Sequence, residues 1–195
     1  MLRGKDCTVL PVMENAYLLI EDGFISEYGP MNTIPARYLQ QNNILDIQGG
    51  TVLPAWCDSH THIVFAGSRE SEFVDKIRGL SYEEIAAKGG GILNSANLLN
   101  KTSEDELFRQ AWERMEEVRK LGTGAIEIKS GYGLDFENEI KILQGIKVIN
   151  EIFPIEIVST FLGAHTFPPE FKDDHSGYVD LIVDKMIPHV TKNNL

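Results

Sequence analysis

After residue 50, strand-like and helix-like segments alternate along the chain, and this alternation limits the fold more than any other feature of the sequence. Short apolar runs occupy residues 51–58, 123–129 and 155–162, and runs of this length predict strands. Longer segments with helical spacing of apolar residues lie at 103–121 and 136–152. Strands that alternate with helices in this way predict βαβ units around a parallel sheet, so the expected fold class is α/β.

Two of the predicted helices have clear boundary signals. Ser103 and Glu106 form a capping-box pattern, and apolar residues then repeat at helical spacing as Leu107, Ala111, Met115 and Val118. We therefore expect a helix that begins after Ser103 and packs this apolar stripe into the core. A last helix should begin near His175 and end before Pro188, because proline disrupts the interior of a helix.

The first fifty residues have the pattern of a β-rich unit. A hairpin is predicted over residues 16–28, with its turn at Asp22-Gly23, because glycine tolerates the positive φ of tight hairpin turns. A further strand is predicted at residues 44–47, followed by a turn at Gly49-Gly50. These signals indicate a small β-rich unit, and the pattern changes after residue 51 to strands that alternate with helices.

These patterns together predict two domains. Residues 1–50 are expected to form a small β-rich domain, and residues 51–195 about three strand–helix units. A complete (β/α)₈ barrel takes about 250 residues, so the second domain is too short to contain one. We therefore expect an open, incomplete set of barrel strands.

The charge of the chain indicates which ligands suit it. It carries 29 acidic and 18 basic residues, a formal net charge of -11 at pH 7, and this field repels nucleic-acid phosphates. No segment reaches the roughly 18 apolar residues of a membrane span, and the N-terminus lacks the pattern of a secretory signal. The two cysteines, Cys7 and Cys57, are too few for a disulfide framework. These features predict a cytoplasmic protein that acts on a small molecule.

Two histidines, His60 and His62, end the first apolar run and have the spacing of a metal-binding pair. Side chains two residues apart on a strand point to the same side, so both imidazoles can approach one ion. A pair of histidines in a surface turn is the alternative interpretation. Catalytic zinc takes three protein ligands, so more must come from elsewhere. On spacing alone, His165 at the end of the third predicted strand is a third ligand, a substrate contact or a structural histidine.

Several longer motifs in the chain resemble the imidazolonepropionase family of the amidohydrolase superfamily. They are DSHTH at 58–62, FAGSRE at 65–70, YEEIA at 82–86, GGGI at 89–92, EIKSGYGL at 127–134 and FLGAH at 161–165. The resemblance runs from about residue 16 to residue 195. Several long motifs in one order are far more specific than a single short pattern.

The resemblance implies a fold, a reaction and roles for particular residues. The fold would be a partial, distorted TIM (β/α)₈ barrel of the metal-dependent amidohydrolase type, preceded by a small β-rich domain of composite β-sandwich form. The reaction would be hydrolysis of 4-imidazolone-5-propanoate to N-formimidoyl-L-glutamate, a step of histidine degradation. His60 and His62 would bind zinc or iron, and Arg69, Tyr132 and His165 would contact the substrate. The resemblance leaves a homodimer of the longer protein open.

The chain also departs from the family pattern. The family's third metal-binding histidine and its metal-bound aspartate lie on later strands, which this sequence does not contain. We therefore expect an N-terminal portion of such a hydrolase, with an incomplete catalytic set and no turnover of its own. The alternatives are another cyclic-amide amidohydrolase, a heterocycle deaminase, or a noncatalytic binding module that keeps half of an active site.

Overall fold

The computed structural model describes Thr8 and residues 11–195, with only the backbone described at Ala86 and Ala87. Cys7 lies outside the described residues. The chain divides into two compact units, Met1–Leu53 and Pro54–Leu195. Each unit is described separately below.

The first unit contains an antiparallel hairpin of β1 (Ala16–Glu21) and β2 (Phe24–Pro30). Asp22 and Gly23 connect the strands, and both have positive φ, 51° and 81°. Positive φ at both central residues is the geometry of a type I′ turn, which matches the twist of the paired strands. The predicted hairpin is therefore confirmed, with β2 extending two residues further than expected.

The prediction of a strand at residues 44–47 is wrong, because the structure has no strand there. A strand requires a neighbour that shares its backbone hydrogen bonds, and β1 and β2 pair only with each other in the described residues. The predicted turn that follows does form. Gly50 N–H donates to the Ile47 carbonyl over 2.8 Å, and Gly49 has a φ of 79°.

The second unit is built on a three-stranded parallel sheet, as the alternation of elements predicts. Its strands are β3 (Trp56–Thr61), β4 (Thr123–Lys129) and β5 (Glu156–Thr160), in the order β3-β4-β5. No closed barrel is present in the described chain. Because all three strands run in the same direction, their carboxyl ends lie at one edge of the sheet.

Two of these strands differ from their predicted bounds. β3 begins at Trp56 rather than residue 51, and its first backbone hydrogen bond joins Trp56 N–H to the Gly122 carbonyl over 2.9 Å. Pro54, two residues earlier, has no N–H to donate to such a ladder. β5 is shorter than predicted because Leu162 N–H turns away from the sheet and donates to Ser130 Oγ over 2.9 Å.

Seven helices are described in the second unit, beside one π-helical segment and a short 3₁₀ turn. Their bounds are α1 (Glu70–Ile77), α2 (Tyr82–Ala87), α3 (Ile92–Lys101), α4 (Glu104–Lys120), α5 (Phe136–Ile152), α6 (His175–Leu181) and α7 (Ile187–Asn193). The predicted N-cap of α4 is confirmed, because Ser103 Oγ accepts the Glu106 N–H over 3.3 Å. The reciprocal half of the capping box does not form, because the Glu106 carboxylate accepts from Arg109 and Gln110 instead.

The predicted end of the last helix is wrong, because helical structure continues past Pro188. A π-helical segment, Ile182–Met186, links α6 to α7, and Pro188 lies in the first turn of α7. Proline is tolerated in a first turn because its missing N–H would have no partner there. The π-helical segment thus places the proline where a new helix begins.

The core of the second unit lies between α4, α5 and the sheet. Apolar residues of all three are buried, including Leu107, Ala111, Met115, Ile126, Ile128, Ile142, Leu143, Ile146 and Ile149. The predicted apolar stripe of α4 is therefore confirmed. Among the described residues, no helix has the length and apolar character needed to cross a membrane.

Because Ser103 caps α4, removing its hydroxyl should lower the stability of the folded protein. We expect Ser103→Ala to lower the free energy of unfolding by about 1 kcal/mol, since the first-turn N–H of Glu106 loses its acceptor. Urea denaturation followed by circular dichroism measures this change. Ser103→Asp restores an acceptor and should unfold at the wild-type urea concentration, whereas equal unfolding of all three proteins would contradict the cap.

Candidate functional site

Four aromatic rings meet at the carboxyl edge of the sheet. His62 directly follows β3, while Tyr132 and His165 lie on the loops after β4 and β5. The His62 ring centroid is 4.8 Å from that of Tyr132 and 5.0 Å from that of His165, whose plane is nearly parallel to it. The Tyr132 and His165 centroids are 5.5 Å apart, and those of His60 and His62 5.7 Å. We call these four residues the ring cluster.

The two histidines of the metal-binding prediction differ in their surroundings. His60 is exposed, whereas His62 is half-buried and its Nδ1 is buried without a hydrogen-bond partner. Burial, and then the neighbouring His165 and His60, lower the pKa of His62 to about 4. His62 is therefore a neutral imidazole at neutral pH, which is the form that binds metal ions.

A second buried atom without a hydrogen-bond partner is Oε2 of Glu127, on β4. His60 is close enough to this carboxyl group to help lower its pKa. Glu127 Oε1 pairs with Lys129 and accepts the Thr160 hydroxyl over 2.6 Å, while Glu127 Oε2 is buried without a partner. The hydrogen bond from Lys129 is the main cause of the lowered pKa of Glu127, and His60 contributes least. Unpaired acceptors at this edge suit a cation or an N–H donor of a ligand.

The donor set fits a metal ion in part. His60 and His62 supply two neighbouring imidazoles, and His62 Nδ1 lacks any protein partner. However, residues 11–195 contain no group of three or more His, Cys, Asp or Glu side chains arranged to hold an ion. The described chain therefore offers two candidate ligands and lacks the third that catalytic zinc needs.

The loop that carries Tyr132 is held from beneath by Glu139, in the first turn of α5. Both oxygens of this buried carboxylate accept the Gly131 N–H, and Oε1 also accepts the N–H groups of Gly133 and Leu134. Burial raises the pKa of Glu139, while hydrogen bonds from Ser130 and these N–H groups oppose the rise. Gly131 has a φ of 111°, a conformation that favours glycine.

The same loop contacts His165. The His165 Nδ1 lies 3.0 Å from the Gly131 carbonyl oxygen, which can only accept a hydrogen bond. Nδ1 therefore carries the proton, and in the neutral ring Nε2 is left as an acceptor. The structure thus orients His165 and selects one of its two tautomers.

Arg69, the third predicted substrate contact, lies just before α1 and pairs with Glu72. Its Nε and Nη2 donate to Glu72 Oε2 over 2.8 and 2.5 Å, and Glu72 Oε1 accepts the Gly91 N–H over 3.0 Å. This pairing lowers the pKa of Glu72 and raises that of Arg69. Among the described residues Arg69 has no hydrogen bond to the ring cluster, but Tyr132 is near enough to contribute to the raised pKa of its guanidinium. Tyr132 and His165 are in ring contact.

A cleft of about 450 Å³ lies beside these residues. Its lining includes Tyr82, the glycine loop at 89–91 and Thr166, which directly follows His165. Gly91 also binds Glu72, so the loop that lines the cleft is linked to Arg69. The lining of this cleft includes neither Arg69 nor any member of the ring cluster.

Several residues that shape this edge were not predicted from the sequence. Arg114 of α4 donates to the carbonyls of Ile63, Phe65 and Gly67, and its guanidinium lies 3.5 Å from the Phe65 ring centroid. It thereby holds the segment between the histidine pair and Arg69. Glu139 and Arg114 both bind backbone atoms, which residue types do not reveal. The sequence signal that could have identified Glu139 is its place in the first turn of a helix. Acidic residues are common at that position in many helices, so the signal is not specific.

The sequence of the chain was compared with protein-family models and with curated proteins. No protein-family model matches the chain. It is 53% identical over 192 residues to an imidazolonepropionase of Flavobacterium johnsoniae, an alignment that covers 98% of this chain and 46% of the relative. The corresponding values are 52%, 98% and 46% for that of Flavobacterium psychrophilum, and 44%, 93% and 44% for that of Shewanella sp. strain ANA-3. The chain spans about half the length of these curated relatives, and the resemblance read from its motifs is confirmed.

Proposed function

We propose that this chain is the N-terminal part of a metal-dependent imidazolonepropionase, which hydrolyses 4-imidazolone-5-propanoate to N-formimidoyl-L-glutamate in histidine degradation. The observation that carries the proposal is the ring cluster, where His62, Tyr132 and His165 from three successive loops meet within 5.5 Å. Relatives that are named imidazolonepropionase and are 44–53% identical support it.

The proposal extends to the fold and the location of the protein. Residues 51–195 would be the first strand–helix units of a distorted amidohydrolase barrel, and the parallel order of β3, β4 and β5 supports this. Residues 1–50 would form the small β-rich domain. The net charge of -11 supports a small-molecule substrate rather than a nucleic acid. A cytoplasmic location without a membrane partner is part of the same proposal.

In this proposal His60 and His62 hold one zinc or iron ion together with ligands from the rest of the longer protein. The ion would supply water activated for attack on the ring carbonyl. The buried, unpaired Nδ1 of His62 and the lowered pKa of its ring support this role, because a neutral histidine binds a metal without first losing a proton.

The remaining predicted residues would bind and orient the substrate. Glu72 occupies the Nε–Nη2 edge of the Arg69 guanidinium, which leaves the Nη1–Nη2 edge for the propionate carboxylate. With its Nδ1–H bound to the Gly131 carbonyl, the His165 ring would present Nε2 to an N–H of the imidazolone. Tyr132 lies between them in the sequence, and its hydroxyl has no hydrogen bond to any described residue, so it can bind the ligand.

A substrate comparison tests the proposal. The longer protein should hydrolyse 4-imidazolone-5-propanoate, lose this activity with a chelator and regain it with added zinc or iron, while the 195-residue chain alone should give no turnover. Preference for dihydroorotate or guanine would instead indicate another amidohydrolase or a deaminase. Failure of the metal-loaded longer protein on all three compounds would favour a noncatalytic binding module.

A further inference from the structure

The buried carboxylate of Glu139 accepts several backbone hydrogen bonds from the loop that follows β4. Glu139 is fully buried and accepts N–H groups from Gly131 over 3.0 and 3.1 Å, from Gly133 over 2.7 Å and from Leu134 over 3.1 Å. Tyr132 lies between two of these donors, yet its own hydroxyl is bound to no described residue. The position of the Tyr132 side chain therefore depends on the backbone that Glu139 holds.

The hydrogen bonds of this loop continue into the loop after β5. The Gly131 carbonyl accepts the His165 Nδ1–H over 3.0 Å, and the buried Ser130 hydroxyl accepts the Leu162 N–H over 2.9 Å. A single buried residue is thus linked, through one loop, to both Tyr132 and His165.

We propose that Glu139 is a positioning residue of the candidate site, which fixes the place of Tyr132 and the Nδ1–H tautomer of His165 through the backbone of residues 131–134. Its effect on catalysis rests on the proposed function, but its effect on the loop does not. Loss of the acceptor would leave three loop N–H groups without their partner, and the loop would leave its present conformation. Gly131 O would then no longer face His165.

Two substitutions separate hydrogen bonding from packing. Glu139→Leu fills most of the same volume but accepts no hydrogen bond. Glu139→Gln keeps one oxygen, which still accepts from Gly131, Gly133 and Leu134. It replaces the second oxygen, which binds only Gly131, with an amide NH₂ that sets one donor against the Gly131 N–H. Ile149→Ala is the matched control, because Ile149 is also fully buried in α5 but lies near the opposite end of the helix.

Hydrogen exchange and histidine ¹⁵N spectra of the 195-residue chain provide the test, at about pH 8, above the usual histidine pKa of about 6.5. We expect Glu139→Leu to speed exchange at Gly131, Gly133 and Leu134 by about tenfold or more and to abolish the single His165 tautomer. Glu139→Gln should speed exchange chiefly at Gly131 and keep the tautomer. Ile149→Ala should keep the loop amides and the tautomer of the wild type.

Other results would overturn the proposal. Unchanged loop exchange and an unchanged His165 tautomer in Glu139→Leu would show that Glu139 does not hold the site. If that variant fails to fold, Glu139→Gln decides, and equal exchange at Gly131, Gly133 and Leu134 in it and the wild type would overturn the assignment. In the longer protein, Glu139→Leu should lower kcat/KM and Glu139→Gln should largely rescue it. An inactive wild type would refute the proposed function and leave the spectroscopic test intact.

Discussion

Replacing Gly133 with alanine is expected to lower the free energy of unfolding by about 3 kcal/mol. An added Cβ would lie 2.3 Å from the backbone nitrogen of Glu139 and 2.5 Å from the carbonyl carbon of Asn138. Both atoms belong to the first turn of α5, which cannot move without disturbing the buried contacts of Ile140, Ile142 and Leu143. The substitution would also push Gly133 N–H away from Glu139. Urea denaturation of the wild type and the variant measures the change.

A second glycine gives a control of opposite sign. Gly145 lies inside α5, and a Cβ there would meet Val64 Cγ1 at 3.7 Å, an ordinary van der Waals distance. Alanine is a better helix former than glycine, so Gly145→Ala should raise stability by about 0.5 to 1 kcal/mol. If Gly133→Ala were as stable as the wild type, the close approach of the loop to α5 would be refuted.

Replacing Arg114 with alanine should cost about 3 kcal/mol of unfolding free energy. The half-buried guanidinium donates to the Ile63 and Phe65 carbonyls over 3.1 and 2.7 Å and also contacts the Phe65 ring. Without it, these carbonyls lose charged donors, and the segment that joins His62 to Arg69 is released. Denaturation of Arg114→Ala, with the protease sensitivity of residues 63–69, tests this result.

Arg119, near the end of the same helix, is the matched control for charge. It is bound to Glu116 at the surface and to no described backbone carbonyl. Exposed pairs of this kind contribute little, so Arg119→Ala should unfold close to the wild type. Arg114→Lys should be intermediate, because an ammonium reaches fewer carbonyls than the planar guanidinium. Equal effects of Arg114→Ala and Arg119→Ala would argue against the backbone contacts.

Local patterns were sufficient to predict most regular elements of the second unit. β4 and α5 have the predicted bounds, because Ile126 and Ile128 of the strand alternate with more polar neighbours and the helix is capped by Asp135. Pro188 was misread because a π-helical segment precedes it, and such segments have no sequence signal of comparable strength. The strand predicted at 44–47 failed because strand formation depends on a partner elsewhere in the chain.

The candidate site was predictable where it follows from topology. Parallel strands end at one edge, so topology accounts for the contact of His62, Tyr132 and His165, which follow β3, β4 and β5. Glu139 and Arg114 could not be assigned in the same way. Their partners are backbone N–H and carbonyl groups, which every residue carries, so only the folded geometry identifies them.

The hydrogen bonds of Glu139 also bear on how such a site can change during evolution. These hydrogen bonds hold the loop through backbone N–H groups, so they do not depend on which side chain occupies position 132. A different residue at position 132 would therefore be held at the edge of the sheet by the same backbone hydrogen bonds. Under the proposed function, exchange of Tyr132 would change the substrate contact while Glu139 and the close-packed Gly133 keep the loop in place.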